Sequence, residues 1–165
     1  MRLRLIPIVV ALAFAGCGDD EPASSARPTP TPTPAGETAA TAGLTPCGLL
    51  TDADRKALRL EPGAERKAGA ARNCAWDAES GAYTVAVGVF DTLGLGDIVS
   101  DSKVHRAKVH SRDARIYFGD LGACAIAIKV SATSRVDVSG ASGGDGQQGC
   151  RMAARAAKLV ETKLP

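Results

Sequence analysis

Four cysteines, Cys47, Cys74, Cys124 and Cys150, are the strongest constraint on what this chain can fold into. In an exported chain such a set implies two disulfides, and four cysteines allow three connectivities. Pairing Cys47 with Cys74 and Cys124 with Cys150 is favoured. Each bridge then closes a loop of nearly thirty residues, which chain entropy values at about 3.5 kcal/mol. The second would fasten the inward face of a strand to the start of the last helix. Zinc is the competing use of four thiols, but the chain has no C-x2-C pair and a zinc site favours such spacing. Neither metal nor cofactor is expected.

The first residues say that the chain is exported. Arg2 and Arg4 give a cationic start, Leu5 to Phe14 an apolar run, and Ala15-Gly16 a small pair before a fifth cysteine, Cys17. This is the layout of a secretory signal, too short to span a bilayer comfortably. It also resembles a bacterial lipobox, in which the cysteine after the small pair is lipidated and becomes the new N-terminus; Phe14 stands where that pattern has an aliphatic residue. Residues 1–16 are therefore expected to be a lipoprotein signal peptide. Losing Arg2 and Arg4 leaves 18 basic against 18 acidic residues, so net charge cannot hold the product on an anionic surface. Acyl chains on Cys17 would, at about 0.8 kcal/mol per buried methylene.

Residues 17–43 form the lipidated cysteine and a tether. No apolar residue larger than Ala occurs between Gly18 and Gly43, and Pro28, Pro30, Pro32 and Pro34 alternate with Thr29, Thr31 and Thr33. Such a stretch cannot bury enough surface to offset ordering entropy, so disorder or polyproline II is expected, with a reach of at most about 80 Å. Residues 44–165 are expected to be the globular domain. Thr51 with Asp54 three residues later has the pattern of a capping box, and Pro62-Gly63 is expected to stop that helix. Asn73 to Asp77, Tyr83 to Phe90, Ala114 to Phe118, Ala123 to Val130 and Arg135 to Val138 read as strands. In the second, the valines share one face, and the small residues of the other face, Thr84, Ala86 and Gly88, invite a covering helix. Arg135 and Asp137 should point outward. Thr92 to Ser102 is ambiguous because Gly94 and Gly96 weaken a helix. Gly140 to Gly146 should be a loop and Gln147 to Leu164 the best helix. The class is α+β: an antiparallel sheet with flanking helices, including a long C-terminal one, stapled by two disulfides.

Thr45-Pro46-Cys47-Gly48-Leu49-Leu50-Thr51, then Cys74-Ala75-Trp76, then a cysteine in a β-run and one in a helix ending at Leu164-Pro165 together resemble an actinobacterial lipoprotein family, domain of unknown function 3558. The resemblance covers about residues 44–165, and lipidated N-termini with Pro/Thr-rich stalks are common in that family. It implies a cell-envelope lipoprotein without an assigned activity, and it carries no catalytic residues across.

Other constellations are weaker. Trp76 is expected to pack in the core beside a disulfide. His110, Ser111 and Asp113 are the residue types of a hydrolytic triad, but neighbours on an extended chain point apart and no G-x-S-x-G elbow accompanies them. His105 and His110 lack a third metal partner. Gly94-Leu95-Gly96 lacks a phosphate-loop context, and Gly143 to Gly146 lacks the carboxylates of a calcium loop. A whole-chain charge of +2 excludes the strongly basic footprint of a nucleic-acid binder. The basic run Lys103, Arg106, Lys108, Arg112 and Arg115 reads first as a solvated turn and the outward faces of two strands. Its sharper use is a patch that meets anionic headgroups or wall polymers, at about 1 kcal/mol per residue close to the surface. The resulting expectation is a non-catalytic binding or interaction module, lipid-anchored on the extracytoplasmic face of the cell membrane. Its partners would be that membrane, through the anchor, and an envelope protein or lipid ligand. The alternative is a lipid or small-molecule carrier with an apolar pocket between helix and sheet.

Overall fold

The structure is a computed structural model and describes residues 39–165; Cys17 and nearly all of the tether lie outside the described residues. Seven strands, β1 (Ala64–Ala68), β2 (Ala71–Asp77), β3 (Thr84–Phe90), β4 (His105–Val109), β5 (Arg112–Phe118), β6 (Cys124–Lys129) and β7 (Arg135–Ala141), form one sheet with order β1-β2-β3-β7-β6-β5-β4. Every pairing is antiparallel. Two meanders, β1 to β3 and β4 to β7, join where β3 meets β7. Helix α1 (Asp52–Ala57) precedes the sheet and α2 (Gly146–Glu161) follows it. This is the α+β class read from the sequence.

The period-two pattern decides which face is inside. Val85, Val87 and Val89 of β3 lie beside Val136 and Val138 of β7 and Ile126 and Ile128 of β6, and all are buried. Each such side chain contributes about 1.5–3 kcal/mol of burial. The stripe Met152, Ala153, Ala156, Ala157 and Val160 of α2 closes over them. The helix thus covers the valine face, and the small-residue face of β3 is the opposite one. There Gly88 makes room for Asn73, whose Oδ1 would stand 2.7 Å from an added Cβ.

Close approach of α2 rests on two glycines. A Cβ on Gly149 would lie 2.6 Å from the carbonyl oxygen of Gly140, and one on Gly140 would clash with the carbonyl of Gly149. Gly140 is the register partner of Cys124 on β6, and Cys150 follows Gly149. Contact of the two backbones therefore brings Cys124 and Cys150 to a Cα separation of 5.0 Å, and they are bridged. Cys47, in a 3-10 turn at Pro46–Leu49, is bridged to Cys74 of β2 at 5.1 Å. Both pairings are those favoured from spacing.

Several boundaries moved. Thr51 does cap α1, with both halves of the capping box formed. The helix nevertheless ends at Ala57, ahead of Pro62-Gly63. Leu58 and Leu60 turn into the core, and Arg59 between them takes a left-handed backbone, φ 51°. Gly63 instead lies flat against the Trp76 indole, where no side chain fits. Gly140 and Ala141 belong to β7 rather than to a loop, and the ambiguous Thr92–Ser102 stretch contains only a 3-10 turn at Leu95–Asp97. Thr41 is fully buried and donates to Asp91 at 2.6 Å, so the folded unit takes in residues that composition alone assigned to the tether. Both disulfides and the whole core cluster lie within Gly36–Pro165, which is what an autonomously folding domain requires. No helix among the described residues is long and apolar enough to cross a membrane.

Candidate interaction surface

The basic run falls on β4, the edge strand, and on its neighbour β5. Arg106 stands directly opposite Arg115, and Lys108 opposite Asp113, all on the face away from α2. Arg106, Lys108, Asp113 and Arg115 line an open depression there. Lys108 is partly neutralised by Asp113 at 3.8 Å. Lys103 is exposed just before β4. Arg112 leaves this group: alternation turns it toward α2, where its Nε donates to Glu161 at 3.1 Å and Nη2 to the carbonyls of Leu164 and Pro165. Arg112 thus ties Glu161, the last residue of α2, to the segment that follows the helix. Its job is to close the end of the helix.

The triad-like residues do not converge. His110 and Ser111 form the tight β4–β5 turn, where His110 Nδ1 meets Glu161 Oε2 at 2.7 Å, while Asp113 faces the other side of the sheet. The His110 and Arg112 contacts hold the Glu161 carboxyl below the usual carboxylate range. His105, exposed on β4 opposite Ile116, lies apart from them. Trp76, 1% exposed, shares the inner face of β2 with Cys74. Among the described residues no group of three or more His, Cys, Asp or Glu is placed to hold a metal ion.

Two polar clusters were not foreseen. Arg135 and Asp137 are buried, at 5% and 8% exposure, although they sit on the face opposite Val136 and Val138. The crossing from β3 to β4 runs over that face. Arg135 donates to the carbonyls of Leu93 and Gly94 in this crossing and to Asp137 at 2.9 Å, and its guanidinium lies 4.0 Å from the Phe90 ring centroid. Tyr117 donates to the other carboxylate oxygen at 2.8 Å. Burial pushes the Asp137 carboxyl up despite Arg135, and burial together with that carboxylate pushes the Tyr117 phenol up. Every member is satisfied, so this network pins the crossing to the sheet. Just past Phe90, at the same strand ends, Arg72 holds Asp91 with two hydrogen bonds and donates to the carbonyls of Thr41 and Leu44. That contact holds the Asp91 carboxyl below its ordinary value.

A third feature is apolar. Val99, Leu121 and Phe118 are 94%, 104% and 45% exposed and line one depression at the end of β5. The hydroxyls of Ser100 and Ser102 donate to the Phe118 carbonyl at 2.9 and 3.0 Å, and the Phe118 amide donates back to Ser102, which ties the segment just after Val99 to the end of β5. The large apolar residues of the ambiguous 92–102 stretch were the sequence signal for it, but nothing in spacing separates an exposed Val99 from a core valine.

No curated protein and no solved structure matches the chain. The family described as protein of unknown function (DUF3558) matches residues 12–163. The chain belongs to that family.

Proposed function

We propose that this chain is a lipoprotein of the kind found in actinobacteria, held on the extracytoplasmic face of the cell membrane by acyl chains on Cys17, and that its folded unit is a non-catalytic binding module of the cell envelope. The observation that carries the reading is the pair of completed disulfides, because such bridges persist in oxidising compartments and are rare in the cytosol. The family match begins at residue 12 and so takes in Cys17 and the Pro/Thr-rich stretch along with the folded unit. A module of this kind is preferred over a carrier because the layer between α2 and the sheet is tightly packed. Ala153, Ala156 and Ala157 are fully buried there and two glycine backbones touch.

Fractionation of cells carrying wild-type chain and Cys17→Ser tests the anchor. The wild type should sediment with membranes, and the variant should be released or retain its leader. A processed Cys17→Ser chain that stays membrane-bound would overturn the lipid anchor. In-cell crosslinking from exposed positions should capture envelope components; lipid copurifying in stoichiometric amount from inside the fold would favour the carrier instead.

A further inference from the structure

Val99 and Leu121, which pack against nothing in the folded unit, form an apolar tip with the half-exposed Phe118 ring. Leu121 is fully exposed on a left-handed backbone, φ 56°. That conformation is strained for a side chain of this kind, and Leu121 returns no internal packing for it. Val104, at the same end of β4, is 36% exposed. Cations stand beside and behind the tip. Lys103 lies two residues before His105, whose register partner is Ile116, so it falls level with Phe118. Arg106 and Arg115 face each other three residues further along the strands, about 10 Å away at the usual rise. Like charges directly opposite on neighbouring strands oppose sheet formation, and Arg106 has no carboxylate partner among the described residues. An external anion would relieve that repulsion. Asp101 is a carboxylate on the rim of the tip.

From this arrangement we infer that the end of the sheet bearing Val99, Phe118 and Leu121 is a docking tip for an anionic lipid bilayer. The apolar side chains enter the interface while Lys103, Arg106 and Arg115 meet the headgroup phosphates. Apolar groups of interfacial elements sit 5–10 Å into the headgroup–acyl boundary, so Arg106 and Arg115, about 10 Å behind Phe118, come to headgroup depth. Lys103, level with the tip, reaches the same depth by extending its long side chain back toward the headgroups. A soluble anionic polymer would use the cations and leave the tip without a role; the bilayer uses both. The inference does not depend on the lipid anchor, because the tip belongs to the folded unit alone.

The test uses Gly36–Pro165 with both disulfides formed and no Cys17. Co-sedimentation is measured with phosphatidylcholine vesicles and with mixed phosphatidylcholine–phosphatidylglycerol vesicles. Binding should be clear on the mixed vesicles and at least about tenfold weaker on the neutral ones, given several cations at the surface. Val99→Ser with Leu121→Ser, and separately Arg106→Gln with Arg115→Gln, should each weaken binding by about tenfold or more. All four side chains are outside the core, so the apolar pair of substitutions should leave the melting temperature unchanged. The arginine pair should leave it unchanged or slightly raised through relief of the Arg106–Arg115 repulsion. Absence of binding to mixed vesicles would overturn the inference. So would binding that the apolar pair of substitutions leaves intact and that inorganic polyphosphate abolishes, which would mark a soluble-anion site. Either failure would leave the Cys17 anchor standing, and failure of that anchor would leave this result unaffected.

Discussion

Gly149→Ala separates two rules that predict opposite signs. Position 149 is inside α2, where replacing Gly by Ala raises helix propensity by about 1 kcal/mol. Packing says the reverse. The new Cβ would sit 2.6 Å from the Gly140 carbonyl oxygen, about 0.8 Å short of an ordinary contact at 3.4 Å. The obstacle is backbone on an inner strand, so it cannot rotate away, and the Cys124–Cys150 bridge beside it resists lifting the helix. Overpacking of this kind costs about 1–3 kcal/mol; with an unyielding backbone we take the upper part of that range. The net expectation is destabilisation by about 1–2 kcal/mol, or roughly 4–8 °C in Tm for a unit of this size. Gly96→Ala, with nothing within 4 Å of the added Cβ, is the control and should move Tm by less than about 2 °C. Thermal unfolding by circular dichroism, with and without reductant, reads both. The Gly149→Ala deficit should shrink when the bridge is reduced, because the helix can then shift. A stabilised Gly149→Ala protein would refute the close-contact account of how α2 is seated.

Other perturbations follow from the same geometry. Removing either disulfide by paired Cys→Ala substitution should cost about 3.5 kcal/mol, a Tm loss of about 10–15 °C, since the bridges span 27 and 26 residues; peptide mapping under non-reducing conditions should recover these two pairs. Asp91→Asn should cost about 1 kcal/mol at pH 7, a modest figure because the Arg72 side chain it pairs with is 40% exposed and solvent screens the pair. The Asp91 carboxyl titrates below its ordinary value in the fold, so its contribution is present above about pH 4 and is lost as pH falls through the folded value. Melting curves of wild type and Asp91→Asn should therefore converge toward pH 2. Gly63→Ala should destabilise by about 1–3 kcal/mol through collision with Trp76, visible as a change in indole emission as well as in Tm.

Much of the fold was legible because its signals are local. Alternation in Tyr83–Phe90, the Thr51–Asp54 box and the apolar stripe of α2 each specify an element without knowledge of the rest. Cysteine spacing narrowed the pairings, and strand β6 with helix α2 lies where the second bridge needs them. β1 was missed because Ala64–Ala68 reads AERKA, with no β-branched or aromatic residue. It is a strand only because β2 offers an edge, and its charges keep further strands from adding there. Arg135 and Asp137 looked outward because alternation assigns faces but does not say what covers the second face. The covering segment is an irregular crossing whose course depends on those same two residues, and no periodic pattern marks it. The basic run was visible as composition, yet only register shows that Arg112 serves the α2 terminus while Arg106 and Arg115 oppose each other. The apolar tip was illegible for the same reason, since exposure is a property of the assembled sheet end.

The reading as a lipid-anchored envelope module is tested most directly by the mass of the mature N-terminus. Protein extracted from its own membranes and digested should yield an N-terminal peptide that begins at Cys17 and carries acyl chains, with Met1 to Gly16 absent. A chain that begins at Met1, or a processed chain whose Cys17 bears no lipid, would contradict it.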